Sequence, residues 1–166
     1  EINLAMQLRS FTQDILDILG MSHIVFESFE DAFIFLAKRI GDRRFVLVID
    51  EYQNLVKVEK SFSSMLQKVW DMYLKETNIH LILCGSTISM MHSEILNYSA
   101  PLYGRSTTII HLKPLLAHYI HDFVPHLDSE EFMKSYASFG TIPKYLEMYH
   151  KEKSFKENIK EVVLNK

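Results

Sequence analysis

The sequence is poor in the residues that interrupt or cross-link a chain. Its 166 residues include 5 glycines, 4 prolines and a single cysteine, Cys84. One cysteine cannot form an internal disulfide, which excludes a disulfide-stapled miniprotein and fits a reducing cytoplasm, where we expect the protein to reside. No apolar run approaches the roughly 18–20 residues that cross a bilayer, so we expect no membrane partner.

An excess of positive charge is also missing. The 18 lysines and arginines face 21 aspartates and glutamates, for a formal net charge of −3. Mild acidity gives no electrostatic basis for nucleic-acid binding, so we expect this chain not to contact DNA or RNA directly. What is present is ordinary for a globular protein, with 48% hydrophobic and 23% charged residues and a length that suits a sizeable core. The sequence opens on Glu1, without a methionine, and we expect it to be a piece of a longer chain.

Three apolar segments predict β-strands. Phe45–Ile49 is apolar without alternation, which is typical of a strand buried on both faces of a parallel sheet. A second strand is predicted over Ile79–Cys84, and a third, rich in β-branched residues, over Ser106–Leu112. Helical spacing predominates between them; one helix has a predicted cap at Ser28 and a predicted stop at Gly41.

The pattern changes near residue 115. Before this point strands alternate with helices, and after it the apolar spacing is helical throughout. We therefore predict an α/β unit with a parallel sheet over residues 1–114 and a small helical unit over residues 115–166.

Two acids, Asp50 and Glu51, directly follow the first predicted strand. In parallel α/β sheets, ligands bind beyond the carboxyl ends of the strands. There Asp50 can hold a hydrated Mg²⁺ that neutralises phosphate charge, and Glu51 can orient and deprotonate an attacking water. The alternative is a strand that simply enters a polar loop, and the acidic pair alone leaves both interpretations open.

Further polar residues follow the other predicted strands and helices. Ser86 can bring a hydroxyl to the same crevice if the two strands are adjacent, or it can merely cap the next helix. Arg105 can stabilise phosphoryl charge in its own subunit or in a neighbour, or it is a surface arginine in a turn. Residues Gly140–Lys144 can present backbone groups and Lys144 to a nucleotide, or they are a helix stop followed by a helix start.

Taken in order, these segments resemble the archaeal ATPase family within the AAA+/STAND group of P-loop NTPases. The resemblance covers about residues 24–150. Phe45–Glu51 resembles a Walker B strand with its following glutamate, and Leu81–Ser86 resembles the sensor-1 strand. Pro101–Arg105 with Ile110–Leu115 resembles the next conserved block, and Gly140–Pro143 resembles the GxP element of the lid.

The resemblance implies a fold and a set of roles. The fold is a P-loop NTPase-like three-layer parallel sheet core, incomplete at its N-terminus, over residues 1–114, followed by a helical lid over residues 115–166. The implied ligands are ATP and Mg²⁺. The implied roles are the Mg²⁺-associated acid for Asp50, the catalytic glutamate for Glu51, the sensor for Ser86, an arginine finger or sensor for Arg105, and adenine cover for Pro143.

Function follows from the same resemblance as an expectation. The intact protein would bind and hydrolyse ATP and act as a switch or motor. A role of Arg105 on a neighbouring subunit would require a homo-oligomer or another partner protein.

The sequence departs from the family at one point, the phosphate loop. The motif G-x-x-x-x-G-K-[ST] is absent, because the glycines lie at positions 20, 41, 85, 104 and 140 and no two of them are five apart. We expect these 166 residues alone to bind ATP weakly or not at all, since the amide nest that contacts the phosphates is missing. The alternative, from a different functional class, is a non-catalytic interaction module that kept the fold and lost nucleotide binding.

Overall fold

A computed structural model describes residues 3–22, 24–125 and 127–164 and divides the chain into two compact units. The first unit is 1–109 and the second is 110–166. The first holds a two-stranded parallel sheet with helices, and the described part of the second is built from helices and turns. The chain is therefore mixed α/β, as the sequence predicts. The roles predicted for residues 1–114 and 115–166 stay predictions.

The first unit alternates helices with two strands. Its elements, in chain order, are α1 (Leu4–Leu19), α2 (Phe29–Ile40), β1 (Phe45–Ile49), α3 (Tyr52–Val58), α4 (Phe62–Val69) continued by a π-helical turn (Trp70–Leu74), β2 (Ile79–Leu83), and α5 (Ile88–Met91) continued by a second π-helical turn (His92–Leu96). The strands are parallel, and their register sets Phe45 opposite Ile79 and Ile49 opposite Leu83. The first two predicted strands are thus confirmed.

Local chemistry fixes the ends of the first helices. Helix α1 ends at Gly20, whose φ of 66° is left-handed and suits a residue without a Cβ. Helix α2 begins after Ser28, whose hydroxyl accepts the N–H of Asp31 at 3.1 Å. Glu30 and Asp31 lie at its positive end, and Lys38 lies in its last turn. The predicted cap of this helix is confirmed.

One face of the sheet packs into an aromatic core. Tyr52, Phe33 and Phe62 are completely buried, and the rings of Phe29 and Phe62 meet edge-on with centroids 5.3 Å apart. Burying a side chain of this size stabilises the fold by roughly 1.5–3 kcal/mol. Because Tyr52 directly follows the acids at the end of β1, this core holds the end of that strand in place.

The opposite face of the sheet is open, so the prediction that β1 is buried on both faces is wrong. Val46 and Val48 are 61% and 53% exposed, and Ile82 is 37% exposed. Side chains alternate between the faces of a strand, and the described helices of this unit cover only the face that carries Phe45, Leu47 and Ile49. The structure shows two layers, a sheet and its helices, and a full three-layer core is not shown.

The predicted third strand is also wrong. Ser106–Leu112 has no strand conformation, and Ile109, Ile110 and Leu112 are 62%, 77% and 87% exposed. β-Branched residues favour strands because they fit a pleated, half-buried surface, and this segment is neither buried nor paired in the described chain. A high β-propensity is not sufficient for a strand, because a strand also needs a neighbouring strand for its backbone hydrogen bonds.

The second unit is helical. Its elements are a 3₁₀ turn (Ala117–Tyr119), α6 (Ile120–Phe123), α7 (Ser129–Phe139), α8 (Pro143–Glu147), and α9 (Phe155–Ile159) continued by a π-helical turn (Lys160–Leu164). Asp128 caps α7 by accepting two backbone N–H groups, and Ser154 with Glu157 forms a complete capping box at α9. Across the described ranges, the helices are too short or too polar to cross a bilayer.

A buried amide organises the end of this unit. The side chain of Asn158 is completely buried and forms four hydrogen bonds with backbone groups. Its oxygen accepts the N–H of His150 at 2.7 Å, and its nitrogen donates to the carbonyls of His150, Lys153 and Ser154. The loop before α9 is therefore closed onto the helix by one residue.

Candidate functional site

The ends of the two strands are joined beyond the sheet ladder. The N–H of Cys84 donates to the carbonyl of Ile49, and the N–H of Tyr52 donates to the carbonyl of Cys84, both at 2.9 Å. The segments that follow β1 and β2 therefore lie side by side. Parallel pairing has this consequence for any two adjacent strands, and it brings the polar residues after each strand together.

The backbone turns sharply at Glu51. Its φ of 50° and ψ of 39° make it the non-glycine residue with positive φ in the described chain. This conformation costs an L-residue on the order of 1–2 kcal/mol. The carboxylate of Asp50 stabilises the turn by accepting the N–H of Glu51 at 2.8 Å. Strain of this kind persists only where the surroundings fix it, and it is concentrated at functional sites.

The Glu51 carboxylate is held by two side chains. Ser86 Oγ donates to Glu51 Oε2 at 3.2 Å, and Gln53 Nε2 donates to the same oxygen. Gln53 Nε2 also lies 3.1 Å from Ser86 Oγ. Helix α5 starts after Thr87, so in this structure Ser86 contacts Glu51 rather than capping that helix. The structure thus brings together Asp50, Glu51 and Ser86 at the strand ends.

Gln53 is a member of this site that the sequence analysis missed. It is 2% exposed, whereas Glu51 and Ser86 are at the surface. A signal for it existed, because Gln53 shares the buried face of α3 with Tyr52 and Val56. A polar residue at an apolar position of a helix has to be hydrogen-bonded, and the nearest acid in the sequence is Glu51.

Gly85 makes room for Gln53. A Cβ at position 85 would lie 2.4 Å from Gln53 Oε1 and 2.5 Å from the sulfur of Met91. Any larger residue would therefore push against the amide that holds Glu51. The Gln53 Oε1 atom is buried and has no hydrogen-bond partner among the described residues.

A small cavity borders the acids. Its volume is about 260 Å³, below the 300–1,000 Å³ of most small-molecule pockets. Asp50 and Glu51 line it together with Gln7, Ser10 and Asp14 of α1, and four phenylalanines also belong to its lining. Ser86 is not in its wall. Glu51 therefore borders the cavity and also contacts Ser86.

The residues present fit the two expected ligands differently. Mg²⁺ takes one or two carboxylates and fills its remaining positions with water and phosphate oxygens, and the exposed Asp50 suits that role. In the described ranges no three acidic, histidine or cysteine residues group to form a complete metal cage. A triphosphate does not fit these residues alone, because the described cavity wall contains Asp14, Asp50 and Glu51 and neither lysine nor arginine.

A buried hydrogen-bond chain supports the start of α3. The Tyr52 hydroxyl lies 2.7 Å from Ser63 Oγ, and Ser63 Oγ donates to Glu94 at 2.7 Å, so the tyrosine O–H donates to the serine. Burial raises the pKa of Tyr52 to about 12, while the bond with Ser63 acts in the opposite direction. The residue after Glu51 is thereby tied to α4 and to the π-helical turn that follows α5.

Arg105 lies in a different set of contacts. Its Nε and Nη2 donate to the two carboxylate oxygens of Asp71 at 3.0 and 2.6 Å, and its Nη1 donates to the carbonyls of Pro101 and Tyr103. The guanidinium bonded to Asp71 lowers the pKa of that carboxyl, and the carboxylate raises the pKa of Arg105. Arg105 therefore fastens its loop to the π-helical turn after α4, and its role toward phosphate stays a prediction.

Pro143 begins a helix of the second unit. It is the first residue of α8, after Ile142, and α7 ends at Gly140 with φ of 63°. The predicted helix stop followed by a helix start is confirmed at this point. The role of Pro143 toward adenine stays a prediction.

Two proteins of one organism are similar to this chain. It is 39% identical over 121 residues to the "Uncharacterized protein MJECL04" of Methanocaldococcus jannaschii, a match that covers 73% of this chain and 26% of that protein. It is 37% identical over 62 residues to "Uncharacterized protein MJ0424" of the same organism, covering 37% of this chain and 60% of that protein. The chain thus spans about a quarter of the first relative and less than two thirds of the second.

A family match covers most of the sequence. The family described as an ATPase domain predominantly from Archaea matches residues 3–149. The match includes both strands, the acids at the end of β1, Ser86, Arg105 and Pro143. The chain belongs to this family of archaeal ATPase domains.

Proposed function

We propose that this chain is part of the ATP-binding and ATP-hydrolysing core of an AAA+/STAND-type ATPase that works as a switch or motor. One observation carries the proposal. The Glu51 carboxylate is fixed at the ends of two parallel strands by Ser86 and Gln53, next to Asp50 and bordering a cavity. A carboxylate held in this way is suited to orient a water molecule and accept its proton.

The proposed roles divide between the two acids. Asp50 is associated with Mg²⁺, which when bound neutralises phosphate charge. Glu51 accepts the proton of the attacking water, and Ser86 keeps one carboxylate oxygen in place so that the other can face the water. The polar wall that α1 contributes, Gln7 and Ser10, gives that water further hydrogen-bond partners.

We propose that residues outside this sequence supply the phosphate loop and complete the three-layer core. Three observations support this. The Walker A motif is absent, the described cavity wall holds no cation, and the apolar sheet face with Val46 and Val48 is exposed. An exposed apolar sheet face is often a contact surface for another part of the protein or for a partner. The lid role of residues 115–166 and the adenine cover by Pro143 belong to the same proposal.

Arg105 has a place in this proposal under one condition. To stabilise phosphoryl charge, its guanidinium has to exchange Asp71 for a phosphate oxygen, either in its own subunit or toward a neighbour in a homo-oligomer. The bidentate geometry that Arg105 uses with Asp71 is also the geometry with which arginine binds phosphate. A cytoplasmic location is proposed with the same activity.

The proposal is tested with Glu51→Gln in the full-length protein. We expect the rate of ATP hydrolysis to fall at least about 100-fold while ATP binding is retained, because the amide keeps the shape of the side chain and cannot accept the proton. Steady-state kinetics and an ATP titration measure the two quantities. The control is Glu27→Gln, since Glu27 is an exposed glutamate that is not among the residues of the cavity wall. Normal hydrolysis by Glu51→Gln would remove Glu51 from the mechanism.

The exposed sheet face also favours a second candidate function. Val46, Val48 and Ile82 form an apolar surface that a protein partner can cover, as expected for a non-catalytic interaction module. The coding sequence upstream of Glu1 separates the two candidates. An in-frame G-x-x-x-x-G-K-[ST] within roughly fifty codons, the size of a strand–loop–helix unit, favours the ATPase. Its absence there favours the module.

A further inference from the structure

The buried amide of Gln53 has two hydrogen-bonding partners at the surface. Its nitrogen contacts the Glu51 carboxylate and the Ser86 hydroxyl, which follow two different strands. Gln53 itself is 2% exposed and cannot reach a ligand through solvent. The amide therefore lies behind the proposed base and connects it to the end of β2.

The orientation of this amide follows from its neighbours. A glutamine side chain offers two N–H donors on one atom and an acceptor on the other. The acceptor would face the negative Glu51 carboxylate if the amide were turned over, so the nitrogen has to point toward the acid. One N–H then serves Glu51 and the other serves Ser86, and the carbonyl oxygen points toward Gly85.

We propose that Gln53 is a positioning residue that fixes the Glu51 carboxylate for proton abstraction. This inference rests on the proposed ATPase function and adds a residue to it. A glutamate side chain has three rotatable bonds, and a surface glutamate samples many positions. Donation from a buried amide restricts Glu51 to the orientation in which it also contacts Ser86. A displacement of about 1 Å at a reacting group costs up to about 100-fold in rate, so this restriction has a measurable effect.

The position of Gln53 depends in turn on Gly85. The carbonyl oxygen of Gln53 is buried without a partner and lies where a Cβ at position 85 would come within 2.4 Å. A buried acceptor without a partner is unfavourable, and we infer that it is tolerated because the nitrogen of the same amide serves the base. Gly85→Ala is therefore expected to disturb Glu51 through Gln53, without touching Glu51 itself.

The first experiment detects the amide directly. The full-length protein is labelled with [¹³C,¹⁵N]glutamine, and the side-chain amide signals of Gln53 are assigned through their couplings to its backbone signals, with their loss in Gln53→Met as a check. We expect these protons to exchange with solvent at least about tenfold more slowly than those of Gln13, an exposed glutamine of α1, and to shift in Ser86→Ala. Exchange as fast as that of Gln13, or no shift in Ser86→Ala, would overturn the proposal.

The second experiment measures catalysis. Methionine has nearly the shape of glutamine without its donors, so Gln53→Met keeps the packing and removes the hydrogen bonds. We expect kcat to fall about 10- to 100-fold with KM unchanged, and Gly85→Ala to lower kcat in the same way. The matched control, Gln13→Met, is expected to leave kcat unchanged. A normal kcat in Gln53→Met, or an equal rise of KM and fall of kcat, would contradict a positioning role.

The two experiments keep this inference separate from the proposed function. If the unaltered full-length protein hydrolyses no ATP, the proposed function fails, and the exchange and shift of the Gln53 amide still decide whether Gln53 holds Glu51. If Gln53→Met does not fold, as judged by circular dichroism, Gly85→Ala and the amide signals of the unaltered protein provide the decision.

Discussion

The end of the sheet and the Arg105 loop hold their charged groups in opposite ways. At the end of the sheet, an exposed carboxylate is held from behind by a completely enclosed amide and by a strained backbone at Glu51. In the loop, Arg105 makes a two-point ion pair with Asp71 at the surface, with side chains 28% and 40% exposed. The first arrangement orients the proposed base, and the second occupies the guanidinium that was expected to contact phosphate.

The difference has a topological origin. Glu51 and Ser86 follow two strands whose parallel register brings their ends together, so their meeting is dictated by the sheet. Arg105 follows a loop, and its partner Asp71 lies in a π-helical turn that no motif identifies. The strand register thus determines that Glu51 lies beside Ser86, whereas no such register determines which carboxylate pairs with Arg105.

The largest expected effect tests how firmly the start of α3 is anchored. Burial raises the pKa of Tyr52 from 10.0 to about 12, so between pH 10 and 12 the folded chain keeps a proton that the unfolded chain loses. The folded state then binds more protons, and its free energy of unfolding falls with rising pH, by about 3 kcal/mol in total. Below pH 10 Tyr52 is protonated in both states, and none of this stability is lost.

Tyr52→Phe isolates this contribution. At neutral pH we expect the variant to be less stable by about 1 kcal/mol, because one hydrogen bond is lost. Denaturant unfolding from pH 8 to 11.5 measures the difference in the free energy of unfolding between the two proteins. We expect this difference to shrink and then change sign as pH rises, because only the unaltered protein loses stability through Tyr52. Tyr98→Phe is the control, since Tyr98 is 86% exposed. Parallel stability curves for Tyr52→Phe and the unaltered protein would show that this anchor is absent.

The next effect concerns the space behind Glu51. Gly85→Ala is expected to destabilise the protein by about 1–3 kcal/mol, because the added carbon overlaps the Gln53 oxygen and the Met91 sulfur. Chemical unfolding measures the change, and Ser89→Ala on the exposed surface of α5 is the control. A change below about 0.5 kcal/mol would mean that the Gln53 amide moves aside freely. The end of the sheet would then hold Glu51 no more firmly than the loop holds Arg105.

The smallest effect belongs to the Arg105 loop. Arg105→Lys keeps the charge and loses the two-point geometry, and we expect a loss of at most about 1 kcal/mol because solvent screens a pair this exposed. The guanidinium lowers the pKa of Asp71, so this contribution is present above the ordinary aspartate pKa of 3.8 and is lost as pH falls through the lowered value.

Acid unfolding of the two proteins measures this difference. The stability gap between Arg105→Lys and the unaltered protein should be constant from pH 5 to 7 and close in stronger acid. Arg9→Lys, on the exposed surface of α1, controls for the substitution itself. A gap that persists unchanged at the lowest pH would show that the Arg105 contacts with the carbonyls of Pro101 and Tyr103, and not the ion pair, fasten the loop.

The predictable parts of this fold are those in which local chemistry and the final structure agree. Apolar runs bounded by polar residues marked both strands, and the capping residue Ser28 marked the start of α2. The neighbourhood of Glu51 and Ser86 was predictable for the same reason, since parallel strands carry their following residues to one edge.

The parts that could not be predicted depend on what lies across from a residue. Val46 and Val48 have the composition of buried residues, but only the packing of other elements decides whether a sheet face is covered. Ser106–Leu112 has strand propensity and lacks a paired neighbour in the described chain. The place of Gln53 beside Tyr52 and Val56 signals a buried polar residue, but its second partner, Ser86, follows a different strand and is not identified by that signal.

The crossover between the strands also governs when the site can form. Phe45 pairs with Ile79 across 34 positions of the chain (79 − 45), and the intervening stretch includes α3 and α4. Closing such a long loop loses conformational entropy before the hydrogen bonds between β1 and β2 can stabilise the pair. Glu51 therefore gains its contact with Ser86 only after translation has passed β2, so a nascent chain that stops short of Ser86 carries both acids and Gln53 without the hydrogen bond that ties them to the second strand.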